Sequence, residues 1–233
     1  MSCAGNPAKV RAIVPVKRLD CAKQRLSPVL SRNERAELAR IMLHDVLTCL
    51  CATPGLAGII VVTSDPAVAG LARLFDARVV GDTMETGVNA AVRQGLKGLD
   101  LQSAALIVPS DVPFATAADL QAVLGELGQY PMVLAPALSD GGTNALALRR
   151  RGLIEPSFGD NSFARHRALA RDGGVACGIV RVHGLGHDID CPSDLLPWSG
   201  PRKASLTAAL LAEFNVAERL GITALPVKEA YVK

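Results

Sequence analysis

The sequence predicts an α/β fold of three layers, in which a mostly parallel, mixed sheet lies between two layers of helices. Short runs of Val, Ile, Leu and Ala alternate with stretches of helical periodicity, and most connections between them are short. Aromatic residues make up only 3% of the chain, so the core must be built from aliphatic side chains. A chain of 233 residues can bury a substantial core, as one large domain or two small ones.

Seven apolar runs have the length and composition of buried strands, and helical patterns separate most of them. The predicted strands are residues 12–16, 58–63, 77–80, 104–108, 132–136, 145–148 and 179–182. The predicted helices end near residues 50, 75, 99, 128, 171 and 220, and a further short helix begins at 192. Ser31 to Glu34 and Thr116 to Asp119 form capping-box patterns, and Asp65-Pro66 is typical of a capped helix start.

The first predicted strand leads directly into a loop that carries four cations, Lys17, Arg18, Lys23 and Arg25. In α/β sheets, ligands bind outside the carboxyl ends of the strands. The cluster as a whole therefore favours a phosphate-binding site. For any one of the four residues, a solvated basic loop is an equally good interpretation.

Carboxylates follow two other predicted strands. Asp111 lies just past the strand at 104–108, and Asp188 and Asp190 follow the strand at 179–182 with a spacing that places them on one face of an extended segment. Mg²⁺ takes hard oxygen ligands and bridges protein carboxylates to substrate phosphates. The pattern therefore predicts magnesium-dependent phosphoryl or nucleotidyl transfer. The alternative for Asp190 and Asp194 is a capping role at the helix that begins at Pro192.

Several other polar residues carry weaker signals. Gly141-Gly142-Thr143 suits a close ligand approach or a simple hairpin turn, and the segment 158–162 suits either a helix N-cap or anion binding. For His166 and His187 a structural role is favoured over a catalytic one.

Several classes of protein are disfavoured. The sequence has neither a Walker-type loop nor Gly-x-Gly-x-x-Gly, no Gly-x-Ser-x-Gly elbow and no Cys-x-x-Cys pair. A net charge of +3 and so few aromatic rings argue against nucleic-acid binding. No apolar stretch approaches the length of a membrane span and no signal peptide is recognised, so we expect a cytoplasmic protein with free thiols.

Taken together, five groups of residues resemble one known family. They are Ile13-Val-Pro-Val-Lys17 with Ala22-Lys-Gln-Arg-Leu-Ser-Pro-Val-Leu30, Pro109-Ser-Asp-Val-Pro113, Gly141-Gly-Thr-Asn-Ala-Leu146, Phe158-Gly-Asp-Asn-Ser162 and Asp188-Ile-Asp-Cys-Pro-Ser-Asp-Leu195. In this order the chain resembles the CofC/FbiD guanylyltransferases of coenzyme F-420 biosynthesis, from residue 11 to about 196. It departs from the family pattern at Asp160-Asn161, where smaller or proline-containing residues are expected.

The resemblance implies the nucleotide-diphospho-sugar transferase fold (GT-A or MobA-like) and an enzyme that joins GMP from GTP to a three-carbon phospho-acid, with release of pyrophosphate. It implies that three cations hold the GTP phosphates: Lys17, Lys23 and Arg25. It implies that four residues lie against the nucleotide: Thr86, Gly87, Asn89 and Pro109. It implies two Mg²⁺ ions on Asp111, Asp188 and Asp190, and contacts to the phospho-acid from Thr143, Gly159 and Ser162. Among the family's acceptors we expect 3-phospho-D-glycerate, with phosphoenolpyruvate and 2-phospho-L-lactate as alternatives.

Two units are predicted, a nucleotidyltransferase domain over 1–198 and a helical extension over 199–233, with linker-like composition at Trp198–Pro201. The extension either packs back on the domain or meets a partner subunit, and the resemblance favours a homodimer in which it takes part. A labile diphosphate product suggests that it is passed to the next transferase. Rival interpretations are a molybdopterin-guanine or sugar-phosphate nucleotidyltransferase, which would carry a glycine-rich turn in place of Pro-Val-Lys-Arg, and a non-catalytic GTP-binding protein, which would not need three carboxylates.

Overall fold

The computed structural model describes residues 10–82, 85–195 and 205–221. The described strands are β1 (Val10–Pro15), β2 (Leu56–Thr63), β3 (Arg78–Gly81), β4 (Ala105–Ile107), β5 (Met132–Pro136), β6 (Thr143–Leu148) and β7 (Cys177–Ile179). The described helices are α1 (Arg32–Cys51), α2 (Pro66–Leu74), α3 (Val88–Lys97), α4 (Ala117–Glu126), α5 (Ser162–Asp172), α6 (His183–Gly186), α7 (Leu206–Glu213) and α8 (Val216–Arg219).

The seven strands form one sheet in the order β3-β2-β1-β4-β6-β5-β7. Strands β1 to β4 pair in parallel, and β7 is parallel to β5. Strand β6 is antiparallel to both of its neighbours, because a short hairpin joins it to β5. The predicted mixed, mostly parallel sheet is confirmed.

Helices cover both faces of the sheet, as the three-layer prediction requires. Successive residues of β1 point to opposite sides, so Ala12 and Val14 pack with α1, α2 and α4, whereas Ile13 packs with α3 and α5. Both predicted capping boxes are present, at the starts of α1 and α4. Asp65 caps α2 through the backbone N–H groups of Ala67 and Val68.

Two sequence predictions are wrong in detail. The last strand was expected at 179–182 but lies at Cys177–Ile179, because these three residues pair with β5 and the chain then turns into α6. The last helix was expected to be continuous from 203 to 220, but it breaks between α7 and α8, where Asn215 adopts φ of 51°. Asn tolerates this left-handed conformation better than most residues. The predicted linker at Trp198–Pro201 lies outside the described residues.

The described part of the C-terminal extension packs against the domain. The Asp45 carboxylate on α1 accepts hydrogen bonds from the backbone N–H groups of Leu206 and Thr207 at the start of α7. Arg219 donates to the Val29 carbonyl and forms an ion pair with Glu34 at 2.7 Å. Asp45, an acidic residue within the apolar stripe of α1, thus binds the start of α7 and helps to hold this extension against the domain.

Candidate active site

A cavity of about 870 Å³ opens at the carboxyl ends of the parallel strands. Residues that follow β1, β2, β3 and β4 line it, together with the start of α3 and the segment that ends at Asp190. Eight residues of the predicted site lie in its wall: Lys17, Lys23, Arg25, Thr86, Gly87, Pro109, Asp111 and Asp190. Five do not: Asn89, Thr143, Gly159, Ser162 and Asp188.

Lys23 is the central cation of this cavity. Its ammonium lies 2.7 Å from an oxygen of Asp111 and 3.4 Å from an oxygen of Asp190, and only 9% of its side chain is exposed. Burial opposes the charge, but the two carboxylates outweigh it and the pKa of Lys23 is raised. Arg25 reaches the second oxygen of Asp190 at 3.0 Å. The basic loop and the acidic strand ends are therefore joined directly.

The backbone of the basic loop is built to bring Lys23 inward. Two short 3-10 turns, Leu19–Cys21 and Gln24–Leu26, flank Lys23, whose φ of 52° is left-handed. Such a conformation is strained for a residue with a long side chain and is typical of functional sites. Asp65 holds the start of the loop, since its carboxylate accepts from the N–H of Leu19 at 2.9 Å as well as capping α2.

Asp188 lies beside the cavity, and its hydrogen-bond partner differs from the cations that pair with Asp111 and Asp190. Asn144 donates to it at 3.0 Å, and the N–H of the neighbouring Ile189 donates to the Asp111 carbonyl at 3.0 Å. Burial raises the pKa of Asp188 to about 6, the Asn144 hydrogen bond opposes the rise, and the charges of Asp111 and Asp140 add to it. A nearby cation would favour the ionised form of this carboxyl and lower its pKa.

Asn144 reaches Asp188 because the β5–β6 hairpin is irregular. Ala135 pairs with Ala145, but Pro136 pairs with Thr143, so the register skips Asn144. A bulge of this kind changes the alternation of side chains along a strand. Thr143 consequently contacts α5, whereas Asn144 bonds to Asp188 and to the Leu185 carbonyl. Sequence periodicity does not predict this contact of Asn144, because alternation alone does not reveal a bulge.

The three aspartates are suited to a divalent cation. Among the described residues, no group of three His, Cys, Asp or Glu side chains is already gathered for a metal ion. However, Asp111 and Asp190 share the ammonium of Lys23, which stands in for a positive ion between them. Hard carboxylate oxygens are the donors that Mg²⁺ prefers. Magnesium binding at Asp111, Asp188 and Asp190 stays a prediction.

A second, buried group of polar residues lies where β6 meets α5. Thr143 and Ser162, both predicted to contact the acceptor, are 3.2 Å apart through their hydroxyl oxygens, and His166 Nδ1 lies 3.0 Å from Thr143 Oγ1. Gly159, with φ of 111°, precedes this helix, and the position of its missing Cβ is 3.4 Å from the Arg165 guanidinium. The predicted acceptor residues therefore come together, with His166 added to them.

Asn89 links the two groups of residues. Its side-chain amide donates to the Phe158 carbonyl at 3.0 Å, and its oxygen accepts from the Phe158 N–H at 2.7 Å. This bidentate contact ties α3, which begins at the cavity, to the segment before α5. In this structure the amide of Asn89 therefore fixes a loop, and its predicted place beside the nucleotide stays a prediction.

The sheet order, the cavity at the strand ends and the opposed cations and carboxylates together define a protein of the nucleotidyltransferase class. The chain matches the family described as "Guanylyl transferase CofC like" over residues 10–198, and it belongs to that family. Within the described residues, no helix is long and apolar enough to cross a membrane.

Curated relatives carry three different acceptor names. A phosphoenolpyruvate guanylyltransferase of Sphaerobacter thermophilus is 39% identical over 81% of this chain and 92% of its own. A 3-phospho-D-glycerate guanylyltransferase of Phenylobacterium zucineum is 36% identical over 83% of this chain and 91% of its own. A 2-phospho-L-lactate guanylyltransferase of Methanothermobacter thermautotrophicus is 33% identical over 80% and 82%.

Solved structures confirm the predicted fold. A protein of Desulfovibrio desulfuricans assigned to the nucleotide-diphospho-sugar transferases superposes with a TM-score of 0.73 at 18% identity, covering 92% of this chain and 98% of its own. A CMP:2-keto-3-deoxy-manno-octonic acid synthetase in complex with CTP has a TM-score of 0.59 at 13% identity, over 88% of this chain and 100% of its own. At these identities the similarity shows the fold alone.

Proposed function

We propose that this protein transfers GMP from GTP to a three-carbon phospho-acid and releases pyrophosphate. The observation that carries the proposal is the cavity at the carboxyl ends of the strands, which Lys17, Lys23 and Arg25 line together with Asp111 and Asp190. Lys23 pairs with both aspartates and Arg25 pairs with Asp190. Membership of the guanylyltransferase family supports the choice of reaction and of GTP. By the resemblance, the reaction belongs to coenzyme F-420 biosynthesis.

The reaction is an in-line displacement at the α-phosphorus of GTP. A phosphate oxygen of the acceptor forms the new P–O bond, and the bond to the bridging oxygen of pyrophosphate breaks. A phosphate monoester is largely ionised near neutral pH, so the attacking oxygen needs no strong general base. The described cavity wall accordingly holds cations and carboxylates rather than histidine.

The chain's own residues bind and orient the nucleotide and neutralise its negative charge. Lys17, Lys23 and Arg25 lie on one loop and hold the negative charge of the triphosphate, including the charge that develops on the leaving pyrophosphate. Thr86, Gly87 and Pro109 line the same cavity and position the nucleoside. Magnesium bound by Asp111, Asp188 and Asp190 would supply further charge neutralisation and alignment of the phosphates.

The acceptor is a three-carbon acid that carries both a phosphate and a carboxylate. Thr143 on β6 lies 3.2 Å from Ser162 at the start of α5, Gly159 precedes the same helix, and these three residues serve as the contacts of the acid. We expect 3-phospho-D-glycerate, and the relatives named for phosphoenolpyruvate, 3-phospho-D-glycerate and 2-phospho-L-lactate, at 39%, 36% and 33% identity, fix the set of acids to test.

The test is pyrophosphate release from GTP and Mg²⁺ with each of the three acids offered separately. Replacement of GTP by ATP and omission of Mg²⁺ are the controls. We expect release with GTP and one preferred acid, and little release with ATP or without the metal ion. GTP binding without release for any acid would instead favour the non-catalytic GTP-binding protein.

The resemblance further leads us to propose a homodimer in which residues 199–233 take part and a product passed on to the next transferase. Light scattering on the intact chain, with and without GTP, tests the dimer. A monomeric mass in both conditions would remove the extension from an oligomeric role and leave it the intramolecular packing seen at α7 and α8.

A further inference from the structure

The histidine on α5 belongs to a continuous chain of hydrogen bonds that runs from Ser157 to Ser162. The Ser157 N–H donates to His166 Nε2 at 2.9 Å, and His166 Nδ1 lies 3.0 Å from the Thr143 hydroxyl. The Ser162 hydroxyl donates to the same Thr143 oxygen at 3.2 Å. Thr143, Ser162 and His166 are 4%, 1% and 0% exposed, respectively. Buried polar groups held in this way keep a single orientation.

The backbone donor determines which tautomer the ring adopts. A backbone N–H can only donate, so Nε2 must be the unprotonated acceptor nitrogen. In a neutral ring the proton is then on Nδ1, and Nδ1–H donates to Thr143 Oγ1. The neutral ring is the form this environment favours, because burial, assisted by the charge of the neighbouring Arg165, lowers the pKa of His166 to about 4.

The tautomer in turn determines the role of the Thr143 hydroxyl. Its oxygen accepts from both His166 and Ser162, which uses its two acceptor positions. The hydroxyl hydrogen must therefore point elsewhere, and in the part of the chain that the structure describes no hydrogen bond has this hydroxyl as its donor. Thr143 is left as a dedicated donor at the edge of the predicted acceptor site.

We infer that His166 is a positioning residue that holds the Thr143 hydroxyl as a hydrogen-bond donor to an anionic oxygen of the phospho-acid. The inference rests on the proposed function and deepens it. A carboxylate or phosphate oxygen can accept from this hydroxyl, whereas a ligand group that itself must donate finds no acceptor there. Asn144, the next residue, donates to Asp188, whereas the Thr143 side chain lies against His166 and Ser162 of α5.

A merely structural role for His166 must be distinguished from this one. The ring also packs edge-on against Phe158, with centroids 4.9 Å apart, and its Nε2 secures the loop at Ser157. Substitution by Ala would remove packing and both hydrogen bonds at once. Two amide substitutions separate the bonds, because the amide nitrogen of Asn is bonded to Cγ, as Nδ1 is, whereas the amide of Gln reaches the position of Nε2.

The experiment therefore compares His166→Asn with His166→Gln. Asn keeps a donor to Thr143 and loses the acceptor for Ser157, whereas Gln keeps an acceptor for Ser157 and loses the donor. The measurements are the KM values for the preferred phospho-acid and for GTP, and the Kd of the acid by calorimetry. His44→Gln, on α1 against Phe75, is a control for histidine loss away from the site.

For His166→Gln we expect the KM and Kd of the phospho-acid to rise about 10-fold to 100-fold, as for a lost hydrogen bond to a charged group. The KM for GTP should stay within about 2-fold in both variants, because their contacts lie outside the nucleotide cavity. His166→Asn should stay within about 3-fold of the native protein for the acid. Thr143→Val should reproduce the effect of His166→Gln, and combining the two should add little.

Two results would overturn the inference. One is unchanged acid binding in His166→Gln. The other is weaker acid binding in His166→Asn than in His166→Gln, which would mean that acid affinity depends on the hydrogen bond to Ser157. The proposed function fails separately. If the native protein binds an acid but releases no pyrophosphate, the proposed reaction is wrong and the Kd comparison still decides the role of His166. If the native protein binds none of the three acids, both the proposed function and the proposed role of His166 are wrong.

Discussion

At the scale of single residues, Lys23 explains how opposite charges are kept at the site before any ligand binds. Its ammonium lies between Asp111 and Asp190 in a largely buried position, and its own backbone is in the left-handed region. Removing one partner of such a pair leaves an unbalanced charge. The contact therefore stabilises the carboxylates in the ligand-free protein and keeps the lysine next to the place where phosphates are expected.

Asp111→Asn tests the carboxylate directly. Asn keeps the size of the side chain but removes the negative charge, so kcat should fall by at least about 100-fold, as when a key electrostatic group is lost. Tm should change by less than about 5 °C, because Lys23 retains Asp190 as a partner. Steady-state pyrophosphate release and thermal unfolding measure the two effects, with Asp100→Asn as a surface control. Near-native turnover would remove Asp111 from the metal site.

The sequence predicts the residues at the strand ends better than those at the hairpin. The rule that ligands bind at the carboxyl ends of strands is enough to bring Lys17, Lys23 and Asp111 together. It does not reveal the roles of His166 and Asn144, because these depend on a tautomer chosen by a distant backbone N–H and on a bulge in β6. Both are tertiary effects without a signature in local periodicity.

At the scale of elements, the buried histidine of α5 makes the stability of the fold depend on pH. Burial, assisted by Arg165, lowers the pKa of His166 from 6.5 to about 4. Between these two values the unfolded chain binds a proton that the folded protein refuses, so the free energy of unfolding must fall as the pH is lowered. The full effect is about 3 kcal/mol at most.

The difference in free energy of unfolding between the native protein and His166→Asn isolates this contribution. Urea unfolding between pH 6.5 and pH 4 measures it, and carboxyl groups common to both proteins largely cancel in the difference. This matters because the raised pKa of Asp188 acts in the opposite direction over the same range. We expect the native protein to lose its advantage as the pH falls, and two parallel curves would contradict the assignment of a neutral, buried His166.

Element boundaries show where local patterns suffice. Strand β5 lies at Met132–Pro136 as predicted, because an apolar run between turn residues has one way to enter the sheet. Strand β7 lies earlier than its most apolar stretch, since Gly178 packs directly against the ring of Tyr130, where a Cβ would come within 2.7 Å of a ring carbon. The choice of strand residues at this edge was made by packing rather than by hydrophobicity.

At the scale of the whole molecule, a third apolar cluster lies under the site and joins distant parts of the chain. Leu26 follows the turn that carries Lys23 and Arg25, Ile189 lies between Asp188 and Asp190, and Val216 comes from α8. All three are nearly or fully buried in this cluster. The C-terminal extension is thereby part of the support for the basic loop that carries Lys23 and Arg25, a connection that the strand-and-helix pattern of the sequence did not predict.

Val216→Asp tests whether this support matters for nucleotide binding. A buried, unpaired carboxylate is strongly unfavourable, so α8 should detach and leave Leu26 without part of its packing. We expect GTP to bind about 10-fold more weakly and limited proteolysis to cleave faster in the extension, whereas Glu218→Gln on the exposed side of α8 should change neither. Native GTP affinity in a protein whose extension has become sensitive to protease would show that the basic loop holds Lys23 and Arg25 in place without the C-terminal helices.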